Sequence, residues 1–116
     1  MQYRLDANVD DLEPCDVTAL NGEVIIVDLR TADEFDAGHI PGAIAVSISA
    51  IDQGWRGDDA RLPFITVCRT GKVARHAAQA LRAHGRDAYA VRGGMLAWHA
   101  AGEPIVTNAG TPPIVT

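Results

Sequence analysis

Short runs of apolar residues alternate along this chain with segments in which apolar positions recur at helical spacing. The runs lack the polar alternation of a half-exposed strand, which is typical of strands buried on both faces of a parallel sheet. The predicted strands are residues 24–27, 43–46, 64–67 and 88–91. The predicted helices are residues 32–37, 72–84 and 95–101. Strands that alternate with helices predict an α/β fold with a mainly parallel sheet and right-handed crossovers.

Polar residues and glycines mark the ends of these helices. Thr31 and Glu34 have the spacing of a capping box, which predicts a helix start at Ala32. Gly38 is placed to end that helix, and Gly85 and Gly102 follow the later two.

The first 20 residues are predicted from weaker local signals. Residues 1–6 are expected to form a short edge strand. Residues 9–13 are predicted to be a short helix or turn that Pro14 ends, because the residue before a proline is pushed out of the helical region. Cys15 is then expected in a loop, and residues 17–20 in a second helical turn.

Two further segments lie outside the alternation. Ile48 and Ile51 could share one face of a short helix, and residues 53–59 are predicted to form a loop. Prolines and a glycine after Glu103 predict an irregular ending, so we expect one domain over residues 1–104 and an irregular C-terminal tail over residues 105–116.

Composition predicts a single soluble globular domain. The chain has 116 residues, of which 47% are hydrophobic and 22% charged. The longest mostly apolar stretch, residues 43–51, is too short to span a bilayer, and we expect no membrane partner. Cys15 and Cys68 form no CxxC motif and no disulfide framework, and no group of residues has metal-ligand spacing. With no signal peptide at the start of the sequence, a reducing, cytoplasmic location is expected.

The charge is distributed unevenly between the two halves. Residues 1–60 contain 3 basic and 13 acidic residues, whereas residues 61–116 contain 7 basic and 2 acidic residues. A locally positive cleft on a protein of net charge −5 suits a small anionic substrate. The cations are too few, and too little interleaved with aromatic residues, for nucleic-acid binding.

Cys68 follows a predicted strand and precedes a loop and a helix. Such a turn aims backbone N–H groups at the sulfur, and the helix N-terminus adds partial positive charge. Arg69, Lys72 and Arg75 add full charges, and all of these favour the nucleophilic thiolate. The alternative is a buried structural cysteine. Asp28 and Arg92 also follow predicted strands, so we expect them at the same edge of the sheet as Cys68.

Three stretches together resemble the rhodanese (sulfurtransferase) family, in the family's order and spacing. They are Asp28-Leu29-Arg30 with Glu34-Phe35 and residues 38–43, the loop Cys68-Arg69-Thr70-Gly71-Lys72-Val73, and Val91-Arg92-Gly93-Gly94-Met95 with Trp98. The resemblance covers about residues 24–102. It implies a rhodanese-like three-layer α/β/α fold around a central five-stranded, mainly parallel sheet.

The resemblance also implies a thiosulfate sulfurtransferase. The Cys68 thiolate would take the outer sulfur of a donor such as thiosulfate, carry it as a persulfide, and pass it to cyanide, a thiol or a protein acceptor. Substrate-binding roles are implied for the loop residues Arg69, Thr70, Gly71, Lys72 and Val73. Supporting roles are implied for Asp28, Arg30, Arg75 and Arg92. No cofactor is implied.

Other functions of the same fold stay open. A protein-to-protein persulfide relay would use the same chemistry, whereas a non-catalytic binding or regulatory module would not need Cys68. Related phosphatases place an arginine six positions after the cysteine, where this chain has Ala74. Many single-domain members have an arginine five positions after it, where this chain has Val73, so donor identity is left open.

Several residues keep two interpretations at this point. Asp28 and Arg30 could act on substrate or brace the edge of the sheet, and Cys15 could be a resolving thiol or inert. His76 could tune Cys68 or lie on the surface. Trp55 could line the mouth of the pocket or cover the core, and Trp98, His39, His84 and His99 are expected mainly to pack or to be exposed.

Overall fold

A five-stranded, all-parallel sheet forms the centre of the protein, which is described by a computed structural model over residues 10–57 and 61–115. The strands lie in the order β1-β5-β4-β2-β3. Their bounds are β1 Asp11–Leu12, β2 Ile25–Asp28, β3 Ile44–Ala45, β4 Phe64–Val67 and β5 Ala88–Val91. The helices are α1 Pro14–Ala19, α2 Ala32–Ala37, α3 Ile48–Asp52, α4 Lys72–Ala83 and α5 Gly94–Ala100.

Helices cover both faces of the sheet. On one face, Val17 of α1 and Trp98 of α5 pack with strand residues such as Ile65 in one apolar cluster. On the other face, Ile51 of α3 and Leu81 of α4 pack in a second cluster. Because β4 and β5 are buried on both faces, their sequences are mostly apolar, with Thr66 of β4 as a buried polar exception. The expected three-layer α/β/α fold with a five-stranded sheet is confirmed.

The strongest sequence signals correspond closely to the observed elements. Strands β4 and β5 have the predicted bounds, and β2 begins and ends one residue later than predicted. Thr31 and Glu34 form the predicted capping box at the start of α2. Helix α4 ends at Ala83 rather than at residue 84, and α5 is shifted one residue towards the N-terminus. Strand β3 is shorter than predicted, at two residues.

The prediction for the N-terminal segment was wrong. Asp11 and Leu12 form a strand rather than a helix or turn, and they pair with Ala90 and Val91 of β5. Pro14 begins α1 instead of ending a helix, since the first turn of a helix tolerates a residue without an N–H. Cys15 therefore lies in that helix and not in a loop. The strand predicted for residues 1–6 lies outside the described residues.

The remaining segments connect and cover these elements. Ile51 is buried on α3, as its helical spacing predicts, and residues 53–57 form neither helix nor strand. The predicted loop's residues 58 and 59 lie outside the described part. No helix over the described residues is long and apolar enough to cross a membrane.

The segment after Pro104 packs along the domain. Val106 forms an antiparallel bridge with His39, and the Ile114 N–H donates to the Ala37 carbonyl at 2.8 Å. Ile105 and Val115 pack against the first apolar cluster. The boundary at residue 104 stays a prediction.

Candidate active site

The Cys68 sulfur lies in a cradle of backbone N–H groups at the end of β4. Its side chain is buried, and the residue is 7% exposed. The Gly71 N–H donates to Sγ at 3.1 Å and the Ala74 N–H at 3.3 Å. Both donors come from the segment that enters α4, where Gly71 is the N-cap residue at a φ of 99°. Donors fixed in this way stabilise negative charge on the sulfur.

Helix α5 holds the backbone of the cysteine loop from the other side. The Met95 N–H donates to the Cys68 carbonyl at 2.8 Å, and the Leu96 N–H donates to the Arg69 carbonyl at 3.1 Å. A Cβ at Gly94 would lie 2.5 Å from each of these two carbonyl oxygens. Only glycine permits this approach, so the two-glycine turn before α5 is part of the support for the loop.

Thr66 fixes the first turn of α4 against the sheet. Its hydroxyl, fully buried, donates to the Ala74 carbonyl at 2.7 Å. Because the Ala74 N–H is one of the two sulfur donors, this bond orients the peptide units around the cradle. Thr66 was not among the residues that the sequence singled out, since threonine in a buried strand gives no local signal of such a role.

Asp28 and Arg30 form a buried ion pair at the end of β2. Arg30 Nη2 donates to Asp28 Oδ2 at 2.7 Å, and Arg30 Nε donates to Asp28 Oδ1 at 3.0 Å. Arg30 Nη2 also donates to the Gly38 carbonyl at 2.6 Å, so the pair connects β2 to the end of α2. The two residues were interpreted either as acting on substrate or as bracing the edge of the sheet, and these contacts are those of a brace.

Asp11 joins two arginines that flank the cysteine loop. Its Oδ2 accepts a bond from Arg75 at 2.8 Å, and its Oδ1 accepts from Arg92 Nε and Nη2 at 3.0 and 2.7 Å. Glu13 accepts a further bond from Arg92 at 2.6 Å. The hydrogen bond from Arg92, with that from Arg75, lowers the pKa of the Asp11 carboxyl, and Asp11 in turn raises the pKa of Arg92. The sequence interpretation missed Asp11.

The predicted substrate-binding residues surround this arrangement. Arg69, Thr70, Lys72 and Val73 lie along the outer side of the loop, and Val73 is 44% exposed. Among the described residues, neither Arg69 nor Lys72 is paired with a carboxylate. A cavity of about 220 Å³ opens beside the loop; it is lined by Asp11, Thr70, Gly71, Lys72, Arg75 and Gly93. The catalytic and binding roles assigned to these residues stay predictions.

The other candidates have structural surroundings. His76 is exposed and pairs with Asp52, His39 stacks on Phe35, and Trp98 is buried. Trp55 packs edge-on against Phe64 and covers the second apolar cluster. Within the described ranges, no three His, Cys, Asp or Glu side chains are arranged to hold a metal ion.

Cys15 is an exposed free thiol on α1, and Cys68 is also free.

Comparison with known proteins identifies the fold and the family. Over 83% of this chain and 96% of the other, the structure superposes on a rhodanese-related protein from Thermoplasma volcanium with a TM-score of 0.77 at 23% identity. A thiosulfate sulfurtransferase from Pseudomonas aeruginosa superposes with a TM-score of 0.74 at 24% identity, over 91% of this chain and 21% of the other. At these identities the likeness shows the fold alone.

Sequence comparison adds two relatives, one that this chain matches over most of its length and one that it matches over less than half. Thiosulfate sulfurtransferase GlpE from Pseudoalteromonas translucida is 38% identical over 80 residues, covering 68% of this chain and 76% of the relative. An HTH-type transcriptional regulator from Mycobacterium tuberculosis is 35% identical over 90 residues, and this chain spans 40% of its length. The rhodanese-like domain family matches residues 16–101, from α1 to the end of α5, and with these relatives it shows that the chain belongs to that family.

Proposed function

We propose that this protein is a sulfurtransferase that moves sulfane sulfur through a persulfide on Cys68. The observation that carries the proposal is the pair of backbone N–H groups, from Gly71 and Ala74, that donate to Sγ. A thiolate is the nucleophilic form of cysteine, and fixed N–H donors interact favourably with negative charge on a sulfur atom. The resemblance to Thiosulfate sulfurtransferase GlpE supports the same reaction class.

In the first half-reaction, the Cys68 thiolate attacks the outer sulfur of thiosulfate. A sulfur–sulfur bond forms between Sγ and the outer sulfur, the donor's sulfur–sulfur bond breaks, and sulfite leaves with the electron pair. The product is a Cys68 persulfide anion, so the total charge is unchanged. The N–H groups of the loop cradle would then serve the new terminal sulfur as hydrogen-bond donors.

The cations around the loop suit the anionic end of such a donor. Arg69 and Lys72 are free of carboxylate partners in the described part of the chain. Thr70, which carries a hydroxyl, lines the adjoining cavity together with Lys72. A sulfonate group offers three oxygens to such donors, and charge-assisted bonds to it are stronger than neutral ones.

In the second half-reaction, an acceptor removes the outer sulfur. Cyanide or a thiolate attacks the terminal sulfur, the persulfide bond breaks, and the Cys68 thiolate is restored. With cyanide the product is thiocyanate, and with a thiol it is an acceptor persulfide. The cycle needs no cofactor. Because its intermediate is sensitive to oxidation, a reducing cytoplasm fits it, and we include that location in the proposal.

Steady-state formation of thiocyanate from thiosulfate and cyanide tests the proposal. Cys68→Ser should abolish turnover, whereas the matched variant Cys15→Ser, which removes the exposed thiol on α1, should keep the wild-type rate. Turnover that survives Cys68→Ser would show that Cys68 is not the nucleophile.

The same assay distinguishes the alternatives. A protein that is inactive with thiosulfate but accepts sulfur from a protein persulfide is a relay. A phosphatase would hydrolyse an aryl phosphate instead, and this outcome is disfavoured because Arg75, the nearest arginine after the loop, is bonded to Asp11. Inactivity with every sulfur donor would leave a binding or regulatory module.

A further inference from the structure

The Asp11 carboxylate is buried, whereas the two arginines that bind it reach it from the surface. The Asp11 side chain is 9% exposed, and the side chains of Arg75 and Arg92 are each 55% exposed. Both carboxylate oxygens are used, with three hydrogen bonds of 2.7 to 3.0 Å. Three charge-assisted bonds to one buried carboxylate form a much stronger connection than a single surface ion pair.

The two arginines belong to the two segments that enclose Cys68. Arg75 lies in the first turn of α4, and its N–H donates to the carbonyl of Gly71. Arg92 directly precedes Gly93 and Gly94, the turn that leads into α5. These segments meet backbone to backbone, since a Cβ at Gly71 would lie 3.2 Å from the Gly93 nitrogen.

Asp11 itself is fixed to the sheet. The Asp10 carbonyl accepts a bond from the Ala90 N–H at 2.9 Å, and the Leu12 carbonyl accepts one from the Arg92 N–H at 2.8 Å. The carboxylate therefore projects from a short strand whose backbone is bonded on both sides of it. The strand backbone fixes the position of the Asp11 carboxylate. The longer side chains of Arg75 and Arg92 have more rotational freedom, so the carboxylate determines where they lie when they bind it.

We propose that Asp11 is a positioning residue, whose carboxylate holds the Cys68 loop and the turn at Gly93 and Gly94 in contact through Arg75 and Arg92. Its carboxylate lines the cavity beside the loop, but both of its oxygens are bonded to the two arginines, and it acts through them. The loop contact it maintains includes the bonds from the Met95 and Leu96 N–H groups to the cysteine loop. The kinetic consequence rests on the proposed sulfurtransferase function, but the structural consequence does not.

Amide hydrogen exchange of the full chain, followed by NMR, measures this contact directly. In Asp11→Asn, the Met95 and Leu96 amides should exchange about tenfold faster, relative to any change at the Phe64 amide at the far end of β4. Asp11→Glu keeps the charge and should limit that increase to about threefold. Asp10→Asn is the matched control, since Asp10 is the adjacent residue and its ion pair with Arg82 lies on the surface; it should leave the Met95 and Leu96 amides unchanged.

Two results would overturn the proposal. One is equal acceleration at Met95, Leu96 and Phe64 in Asp11→Asn, because that pattern reports global stability alone. The other is exchange of the Met95 and Leu96 amides in Asp11→Asn that is as slow as in wild type, or slower than in Asp11→Glu. The shape of the side chain at position 11 would then matter more than its charge. If Asp11→Asn does not fold, Arg75→Gln and Arg92→Gln each remove one partner, and unchanged exchange at Met95 and Leu96 in both would overturn it equally.

Thiosulfate kinetics on the same variants test the consequence for catalysis. We expect kcat of Asp11→Asn to fall about tenfold with little change in KM, and Asp11→Glu to recover most of the loss. A wild-type kcat in Asp11→Asn, with the Met95 and Leu96 amides loosened, would overturn the positioning role. If wild type transfers no sulfur, the proposed function fails, and the exchange experiment still decides whether Asp11 holds the loop.

Discussion

Gly94 is the glycine of the site at which an added side chain would come closest to backbone atoms. Its φ is 63°, a conformation that residues with a Cβ rarely adopt. A Cβ there would also meet the carbonyl oxygens of Cys68 and Arg69 at 2.5 Å. Both atoms are backbone, so neither can move aside without moving the cysteine loop.

We therefore predict that Gly94→Ala impairs both stability and sulfur loading. Gly102→Ala is the matched control, because Gly102 also has a positive φ, of 73°, but a Cβ there would have no atom of the described residues within 4 Å. Gly102→Ala should cost about 1 kcal/mol of unfolding free energy, and Gly94→Ala at least about 3 kcal/mol. Denaturant unfolding measures both, and equal losses would contradict the steric explanation.

Lys72 is the only lysine in the chain, and it lines the cavity beside the loop. If it binds the anionic end of the donor, Lys72→Gln should raise KM for thiosulfate about three- to tenfold while kcat changes less. Added salt should reduce the difference, because it screens exposed charges. Arg56→Gln, an exposed cation on a different loop, is the control. An unchanged KM in Lys72→Gln would exclude it from donor binding.

At the scale of elements, the Asp28–Arg30 pair ties the end of β2 to the end of α2. The side chains are 0% and 2% exposed, so neither charge has water as an alternative partner. Asp28→Asn should lower the free energy of unfolding by about 3 kcal/mol, because it leaves a buried guanidinium without its counterion. Asp52→Asn removes an exposed pair with His76 and should cost under about 1 kcal/mol. Similar losses in the two variants would contradict the brace.

The sequence predicts an element well when the element is stabilised by its own residues, and poorly when it is stabilised by contacts with distant parts of the chain. Strand β4 and strand β5 are continuous apolar runs, and α2 carries its own capping box, so each has a local signal. Strand β1 has only two residues and forms by pairing with β5, about 79 residues along the chain. Pro14 could signal either a helix end or a helix start, and only the observed packing of Val17 on the core decides between them.

The residues of the candidate site likewise differ in whether a local sequence signal predicts them. The cradle around Cys68 follows from sequence order, because strand, loop and helix are consecutive, whereas the place of the two-glycine turn beside it was implied only by the family resemblance. Asp11 could not be found in this way, since its partners Arg75 and Arg92 lie 64 and 81 residues away. Its bonds exist only once the sheet brings β1 beside β5, and the sequence around Asp11 carries no sign of them.

At the scale of the whole molecule, two carboxyls with lowered pKa values, Asp11 and Glu34, make the free energy of unfolding depend on pH. The Asp11 carboxyl has a folded pKa below its ordinary 3.8, mainly through Arg92, and Glu34 has a folded pKa below its ordinary 4.5, through Thr31. A lowered folded pKa gives stabilisation that is complete above the ordinary value and is lost as pH falls through the folded value. The free energy of unfolding should therefore begin to fall as pH drops to the ordinary values of these carboxyls and keep falling below them, and it should fall less steeply in Asp11→Asn.

Arg92→Gln should flatten the same acid dependence, since the bond from Arg92 is the largest cause of the lowered pKa at Asp11. Urea unfolding at a series of pH values measures the slopes. Parallel curves for wild type, Asp11→Asn and Arg92→Gln would contradict the assignment of acid sensitivity to this ion network.

The rhodanese-like fold of the whole molecule is compatible with several functions, and the function proposed for it depends on the chemistry of Cys68. The most direct measurement is the mass of the peptide that contains Cys68, after a brief incubation of the protein with thiosulfate and without any acceptor. We predict a gain of one sulfur atom on that peptide, its loss when cyanide is added, and no gain in Cys68→Ser. A wild-type peptide that never gains sulfur, or a gain that persists in Cys68→Ser, would contradict the account.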